Sequence, residues 1–326
     1  MDEVDEPSIG SRDRGPDSSP SIASPTAEPA RAERVSDPSD AFQALGNEIR
    51  MGILDTMLER TDGEGPSRVS FSALFEASDV DTSAGFAYHL EQLVGPYLHQ
   101  YDDGYELTYA GERIGRTIAT GTYTHRVDRP PVELEESCPF CGRQDLEARS
   151  ADNVVTISCD DCGRSLLRLG VPPVGIGGHG DEFPAAFDRY HRHRLGLAAD
   201  GVCPDCSGDV SGRLVTPSTT VADELPSEYD DHVQAEFSCH GCGIELRCPV
   251  TLAVLDHPSV VSFYHEHGED VSERPIWNVG HEWTETTLSE EPLAVRVVTE
   301  LEGDVLALYV DEHASVVDVQ RSSADE

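Results

Sequence analysis

From Phe42 onward, apolar residues recur at three- and four-residue steps, through Leu45, Ile49, Ile53 and Met57. That period puts them on one face of a helix, which Ser39 or Asp40 can cap. The polar run 61–67 then reads as a loop. A short second helix is expected over 70–77, with Phe71, Leu74 and Phe75 inward. A turn over 78–81 leads to a third helix over 82–94, with Phe86, Leu90 and Leu93 inward and Asp81 or Thr82 as cap. The pattern next changes to alternation. Segments 97–101 and 105–108 flank Asp102-Asp103-Gly104, a hairpin signal because glycine accepts a positive φ. Thr108 caps a fourth helix to about Thr120, with Ile114 and Ile118 as its apolar positions.

Farther along, 154–158 alternates into Cys159, and Phe237 and Ser238 lead into Cys239, which predicts strands. The Gly- and Pro-rich run 171–180 is a loop. Residues 181–199 read as a helix with Phe183, Phe187, Tyr190 and Leu195 inward. A helix over 258–267, with Val261 and Tyr264 on one face, stops at Gly268. Strands follow at 293–301, 305–310 and 315–319, the first two joined by Glu302-Gly303-Asp304. The fold class is therefore α+β. The expected divisions are a disordered acidic tail at 1–38, a helical domain at 39–126, and two cysteine modules at 133–170 and 201–250. A loop-and-helix linker lies between those modules at 171–200. A small antiparallel sheet with a helix occupies 251–320, and 321–326 is a tail.

Charge changes the picture. The 326 residues carry a formal net charge of -39, with 23 arginines and no lysine. Acidic surfaces of this kind suit a cytosol holding molar salt, where repulsion between carboxylates is screened within a few Å. The apolar fraction, 38%, is high enough for most of the chain to fold. No apolar run reaches the roughly 18 residues of a membrane span, and the N-terminus lacks a signal-peptide pattern. A cytoplasmic protein that does not engage a membrane is expected.

The strongest chemical signal is cysteine. Four Cys-x-x-Cys pairs occur: Cys138/Cys141, Cys159/Cys162, Cys203/Cys206 and Cys239/Cys242. Seventeen residues separate the first two pairs and 32 the last two. Two-residue spacing turns both thiolates of a pair towards one ion, and two such knuckles make a sulfur tetrahedron, which suits Zn²⁺. Two structural zinc ions per chain are expected, each held by neighbouring pairs in a zinc-ribbon-like module. Interleaved pairing, iron–sulfur ligation and redox-active thiols remain alternatives. Cys248 stands apart, as a buried apolar residue or a reactive thiol. His240, inside a knuckle, reads as exposed rather than ligating. The His265-Glu266-His267 run reads as an exposed helix end more than as a metal site. No phosphate-binding glycine loop or nucleophile–histidine–acid spacing appears, so no enzyme activity is expected. Trp277, Trp283 and Tyr264 fit either a ligand pocket or a packed core. Arg189, His191, Arg192, His193 and Arg194 form a dense basic cluster, readable as a solvated helix face or as a contact for DNA or polymerase.

Three helices, a hairpin and a further helix is the winged helix-turn-helix order. Ala41–Leu54 (A-F-Q-A-L-G-N-E-I-R-M-G-I-L) resembles the first-helix signature of ArsR-like regulators. Phe86–Leu93 (F-A-Y-H-L-E-Q-L) is similar to their recognition helix, and Tyr105–Gly111 (Y-E-L-T-Y-A-G) resembles their wing exit. The resemblance covers about residues 40–126, and the chain is similar to haloarchaeal regulators that join this domain to Cys-x-x-Cys pairs. It implies a homodimeric, sequence-specific regulator of transcription that binds double-stranded DNA, with dimer contacts from the first and fourth helices. No cysteine lies within 39–126, unlike in the metal-sensing members.

The third helix would then enter the major groove. Its outward set is Ser83, Ala84, Ala87, Tyr88 and Gln92. His89 contacts a phosphate or bonds within the domain. Gln100 and Tyr101 at the wing and Arg113 on the last helix are further candidates, while Asp102 and Asp103 oppose phosphate. RNA polymerase or another transcription factor is a further possible partner. One alternative is a basal factor like the archaeal homologue of initiation factor IIE, which also joins a winged helix to a zinc ribbon. Another is a thiol-based redox or metal sensor.

Overall fold

The computed structural model describes residues 36–60, 68–216 and 232–323. Most of the expected N-terminal tail, the loop at 61–67 and residues 324–326 lie outside the described residues. Where one first helix is expected there are two, α1 (Pro38–Leu45) and α2 (Glu48–Glu59). The break falls at Gly46-Asn47, where the Asn47 side chain accepts from the Arg50 N–H and caps α2. Phe42 on α1 is consequently exposed, not a core residue. Next come α3 (Phe71–Glu76), α4 (Ser83–Glu91), β1 (Leu98–Tyr101), β2 (Gly104–Leu107) and α5 (Tyr109–Ala119). Ser70, Thr82 and Thr108 each cap the following helix through a side-chain oxygen. Val69 bridges Tyr105, so the segment before α3 lies beside the hairpin.

This unit has its own core. Leu54 and Met57 of α2 meet Leu74, Phe86, Leu90, Leu93 and Leu98, all nearly inaccessible. α5 lies along α2, and Gly115 lets the two backbones approach closely. Gly111 is tighter still: a Cβ there would sit 2.1 Å from the Tyr97 carbonyl oxygen.

Residues 129–323 hold three antiparallel sheets. The first is β3 (Arg129–Glu133), β4 (Leu146–Ala151), β5 (Val154–Cys159) and β6 (Ser165–Gly170), in that order. β3 is an edge strand, which is where Pro130 and Pro131 can be accommodated. α6 (Pro173–Gly177) and α7 (Phe183–Ala199) follow. The second sheet is β7 (Val210–Val215), β8 (Gln234–Cys239) and β9 (Glu245–Pro249). After α8 (Val250–Val254) and α9 (Pro258–Glu266), β10 (Thr284–Glu290), β11 (Leu293–Leu301), β12 (Asp304–Val310) and β13 (Val316–Ser322) form a meander. β13 extends to Ser322, so the expected tail at 321 is still strand. No helix among the described residues is long and apolar enough to cross a membrane.

Residues 171–200 are not a linker. Phe183 and Phe187 of α7 join the core of the first sheet with Ile276 and Trp277, while Ala198 joins the core shared by the second and third sheets. The basic cluster on α7 is a solvated face only in part, since Arg189 and His193 are exposed. His191 and Arg192 are buried, with Arg192 donating to the Arg274 carbonyl, and Arg194 binds Asp205 at 2.6 Å. Tyr190, expected inward, is 41% exposed, and Val261, expected on one face with Tyr264, is 47% exposed. Tyr264 is fully buried, stacked on Trp283 and bonded to Thr299.

Gly111→Ala is expected to destabilise the N-terminal unit by about 3 kcal/mol, because backbone must shift to admit the methyl group. Gly52 of α2 has open space around it. Gly52→Ala is expected to stabilise by about 0.5–1 kcal/mol through helix propensity. Amide hydrogen exchange in α2 and α5 of the full chain checks both.

Candidate metal centres

Each Cys-x-x-Cys pair closes a knuckle with one repeated bonding pattern. The first cysteine donates its N–H to the residue five positions on: Cys138 to Arg143, Cys159 to Arg164, Cys203 to Gly208 and Cys239 to Ile244, at 2.7–3.0 Å. The residue after the second cysteine donates back to the first cysteine's carbonyl, at 2.8–3.1 Å. That return requires a positive φ. Gly142, Gly163 and Gly243 supply it at 73°, 72° and 76°, and Ser207 adopts it at 59° without glycine's freedom.

The knuckles pair by sequence neighbourhood. Cys138, Cys141, Cys159 and Cys162 converge with all four sulfurs within 4.8 Å, as do Cys203, Cys206, Cys239 and Cys242. Cys138 lies 3.9 Å from Cys162 and Cys141 lies 3.7 Å from Cys159. In the second cluster the matching separations are 3.6 and 3.5 Å. A zinc–sulfur bond of about 2.3 Å in a tetrahedron sets sulfurs roughly 3.8 Å apart, so the donor set and the spacing fit zinc. Among the described residues these two groups are the ones that could hold a metal ion.

Backbone donors line the sulfurs. The N–H groups of Gly241 and Cys242 point at the Cys239 sulfur at 3.3 and 3.5 Å, and Asp205 and Cys206 do the same for Cys203. These bonds favour thiolate, and with Cys242 contributing most they bring the Cys239 thiol down to about 6. Four converging thiolates in turn favour a cation. Cys138, Cys159, Cys203 and Cys239 are buried while Cys141, Cys206 and Cys242 are exposed, and Cys159 and Cys239 are the last residues of inner strands β5 and β8.

The remaining candidates divide clearly. Cys248 is buried, and desolvation pushes its thiol up to about 12, so it is a core residue and not a reactive thiol. His240 is exposed beside Asp209. Glu266 binds Ser262 and Arg321, and His267 binds the Phe263 carbonyl and faces Asp304, so this run is a helix end tied to its neighbours. Trp283 and Trp277 both pack in cores and together line a cavity of about 260 Å³, and Trp277 also lines one beside α7.

None of the nominated DNA-contact residues lies in either cluster. Ser83, Ala84, Ala87, Tyr88 and Gln92 are exposed on or just past α4. Gly85 has a local role: a Cβ there would meet the Thr82 hydroxyl at 2.9 Å and disturb the cap. His89 is half-buried against Tyr88, and its Nδ1 has no hydrogen-bond partner, so the expected bond within the domain is not made through that atom. Gln100 donates to the Tyr105 hydroxyl at 3.3 Å. Tyr101 lies beneath the Arg68 guanidinium, 3.8 Å from its ring centroid, and Arg113 is exposed on α5. Sequence reasoning missed Arg68. It pairs with Asp103 at 2.9 Å and Glu106 at 3.7 Å, countering acids that would face phosphate. The Val69–Tyr105 bridge that brings it there has no local sequence signal.

Substituting Cys141 by Ser is expected to lower bound zinc from about two to about one per chain. Cys248→Ala is expected to leave it unchanged, with metal analysis of purified protein as the check. Ser207→Gly is expected to stabilise the second cluster by about 1 kcal/mol, and Gly142→Ala to destabilise the first by a similar amount. The chelator concentration that strips each variant measures both.

Two family models match the chain. One, described as a domain of unknown function (DUF7347), covers residues 38–118. The other, described as a domain of unknown function (DUF7351), covers residues 135–316 and so spans both cysteine clusters. No curated protein and no solved structure matches. With more than half of its length inside the second of these models, the chain belongs to the DUF7351 family.

Proposed function

We propose that the protein is a sequence-specific DNA-binding regulator of transcription, with a winged helix-turn-helix at 38–120 and two structural zinc sites in an interaction module. The observation that carries this reading is the two-sidedness of α4. Phe86, Leu90 and Leu93 are buried, while Ser83, Ala84, Ala87, Tyr88 and Gln92 are exposed, and Thr82 caps the helix. A capped helix with one small and polar exposed face suits the major groove: alanines permit close approach and Ser83, Tyr88 and Gln92 offer hydrogen bonds. The β1–β2 hairpin would act as the wing, its acids partly neutralised by Arg68. The resemblance to ArsR-like regulators points the same way.

The acidic chain gains little from counterion release at molar salt, so shape and hydrogen bonding would carry the affinity. A homodimer belongs to the same proposal: Phe42, Met51 and Tyr109 are exposed on α1, α2 and α5, where a second copy would cover them. Zinc at both clusters would supply folding energy to ribbons with little core of their own. Localisation in the cytoplasm and contact with RNA polymerase are parts of the reading that rest on function rather than geometry.

The test is footprinting of the purified protein on its own upstream region in molar KCl. Discrete protection is expected, and Tyr88→Ala is expected to weaken it about tenfold, the size of one lost contact. Absence of protection, or protection unaltered by the substitution, would overturn the reading. Occupancy of most promoters in chromatin immunoprecipitation would instead favour a basal factor.

A further inference from the structure

A cavity of about 190 Å³ lies between the two cysteine-bearing sheets, α7 and the segment before β10. Leu166 and Leu169 come from β6, Leu246 from β9, Leu252 from α8, and Ile276 and Trp277 close it. Most of the wall is apolar; besides His191 it carries Arg194, Gln234, Glu245 and Arg247, of which Arg194 pairs with Asp205 and Arg247 with Glu236. A dry apolar cavity of roughly 150 Å³ admits a benzene-sized ring, so this one accommodates a single ring with a small substituent. Exposed Glu245 at the lining marks where it reaches solvent.

One polar group in that wall is anomalous. His191 is only 7% exposed, and its Nε2 is buried without a hydrogen-bond partner. The ring is held edge-on to Phe187, at 4.6 Å between centroids, and to Tyr190, at 5.0 Å. A backbone hydrogen bond at Gly170 favours a proton on the ring nitrogen that makes it. That leaves Nε2 as a bare acceptor, because neutral imidazole has one donor and one acceptor nitrogen. Burial and the nearby Arg194 bring His191 down to about 4, so the ring is neutral near pH 7. Buried polar atoms without partners are uncommon in folded proteins and costly.

We propose that this cavity is a binding site for a small neutral ring bearing one hydroxyl or N–H donor, of which phenol is the simplest example, with a small tilt of the His191 ring bringing its buried Nε2 to accept the donor's hydrogen. The ring would occupy the apolar part against Trp277 and the leucines. Highly polar ligands are disfavoured by the apolar part of that wall. A ligand there would touch both cysteine-bearing sheets at once, through β6 and β9. The proposal does not depend on duplex binding.

The experiment is calorimetric titration of the full chain in molar KCl with phenol and with toluene, which have nearly the same shape but differ in the donor. Both are expected to bind. His191→Leu, close in volume, is expected to weaken phenol about tenfold, one buried hydrogen bond, and to leave toluene unweakened. Leu246→Trp is expected to abolish both. The wild-type chain gives a second measurement: the ¹⁵N resonance of His191 Nε2 is expected to shift with phenol and not with toluene. No binding of phenol by the wild-type chain, equal phenol affinity in His191→Leu, or an unshifted Nε2 resonance at saturation would each overturn the proposal.

Discussion

Asp188 and Arg192, one turn apart on α7, are both buried, and both act on the same short segment. The carboxylate accepts the Ile276 N–H at 2.7 Å, and the guanidinium donates to the Arg274 carbonyl. Burying such a pair is costly, and desolvation pushes the Asp188 carboxyl upward. Each charge has the other at 3.7 Å and one backbone partner, which offsets part of the cost, while Arg192 Nε and Nη1 have no hydrogen-bond partner. The outcome is positional: the segment enters between the sheets, delivering Ile276 and Trp277 to the first core, while Trp277 and Asn278 bond back to Glu136 and Ser137. Phe183 and Phe187 of α7 share a core with the first cysteine-bearing sheet, and Ala198 shares one with the second. Both rest on α7, and these two charges tie α7 to the segment at 274–276.

The sequence was most legible where the physics is local. The caps Thr82 and Thr108, the Gly-stopped helix α9, the Asp-Gly hairpin and the four knuckles each depend on a few adjacent residues and are found where the pattern puts them, whereas Ser39 and Asp40, expected to cap the first helix, lie within α1. The neighbour pairing of the knuckles follows from the short strands that connect them. What was illegible depends on distant partners. The polar appearance of His191 and Arg192 suggested solvent, because their partners at Gly170 and Arg274 lie far along the chain. The continuous apolar period from Phe42 to Met57 hid a break, since Asn47 caps α2 at a position the period passes over. The short α8 was missed because five residues carry no measurable period.

The N-terminal unit and the remainder differ in how they are held. Residues 38–120 have one apolar core of ordinary composition, with no cysteine and few buried charges. Residues 129–323 combine two sulfur clusters, a buried charged pair and Glu236, fully buried between Arg213 and Arg247. Polar anchoring of this kind specifies geometry more sharply than apolar packing does. The cavity at their centre is thus bounded by elements whose positions are fixed by directional bonds. At molar salt, where long-range fields vanish, short contacts of this type retain their strength.

The paired prolines of β3 bear on a different hazard. An unprotected outer strand offers a ladder of donors to any other chain, and soluble proteins often deter that encounter with surface charge. In concentrated electrolyte such repulsion fades. Pro130 and Pro131 have no amide hydrogen to offer, a deficiency that ionic strength does not alter. The outer border of the first sheet thus resists strand-by-strand aggregation in brine as well as in dilute buffer.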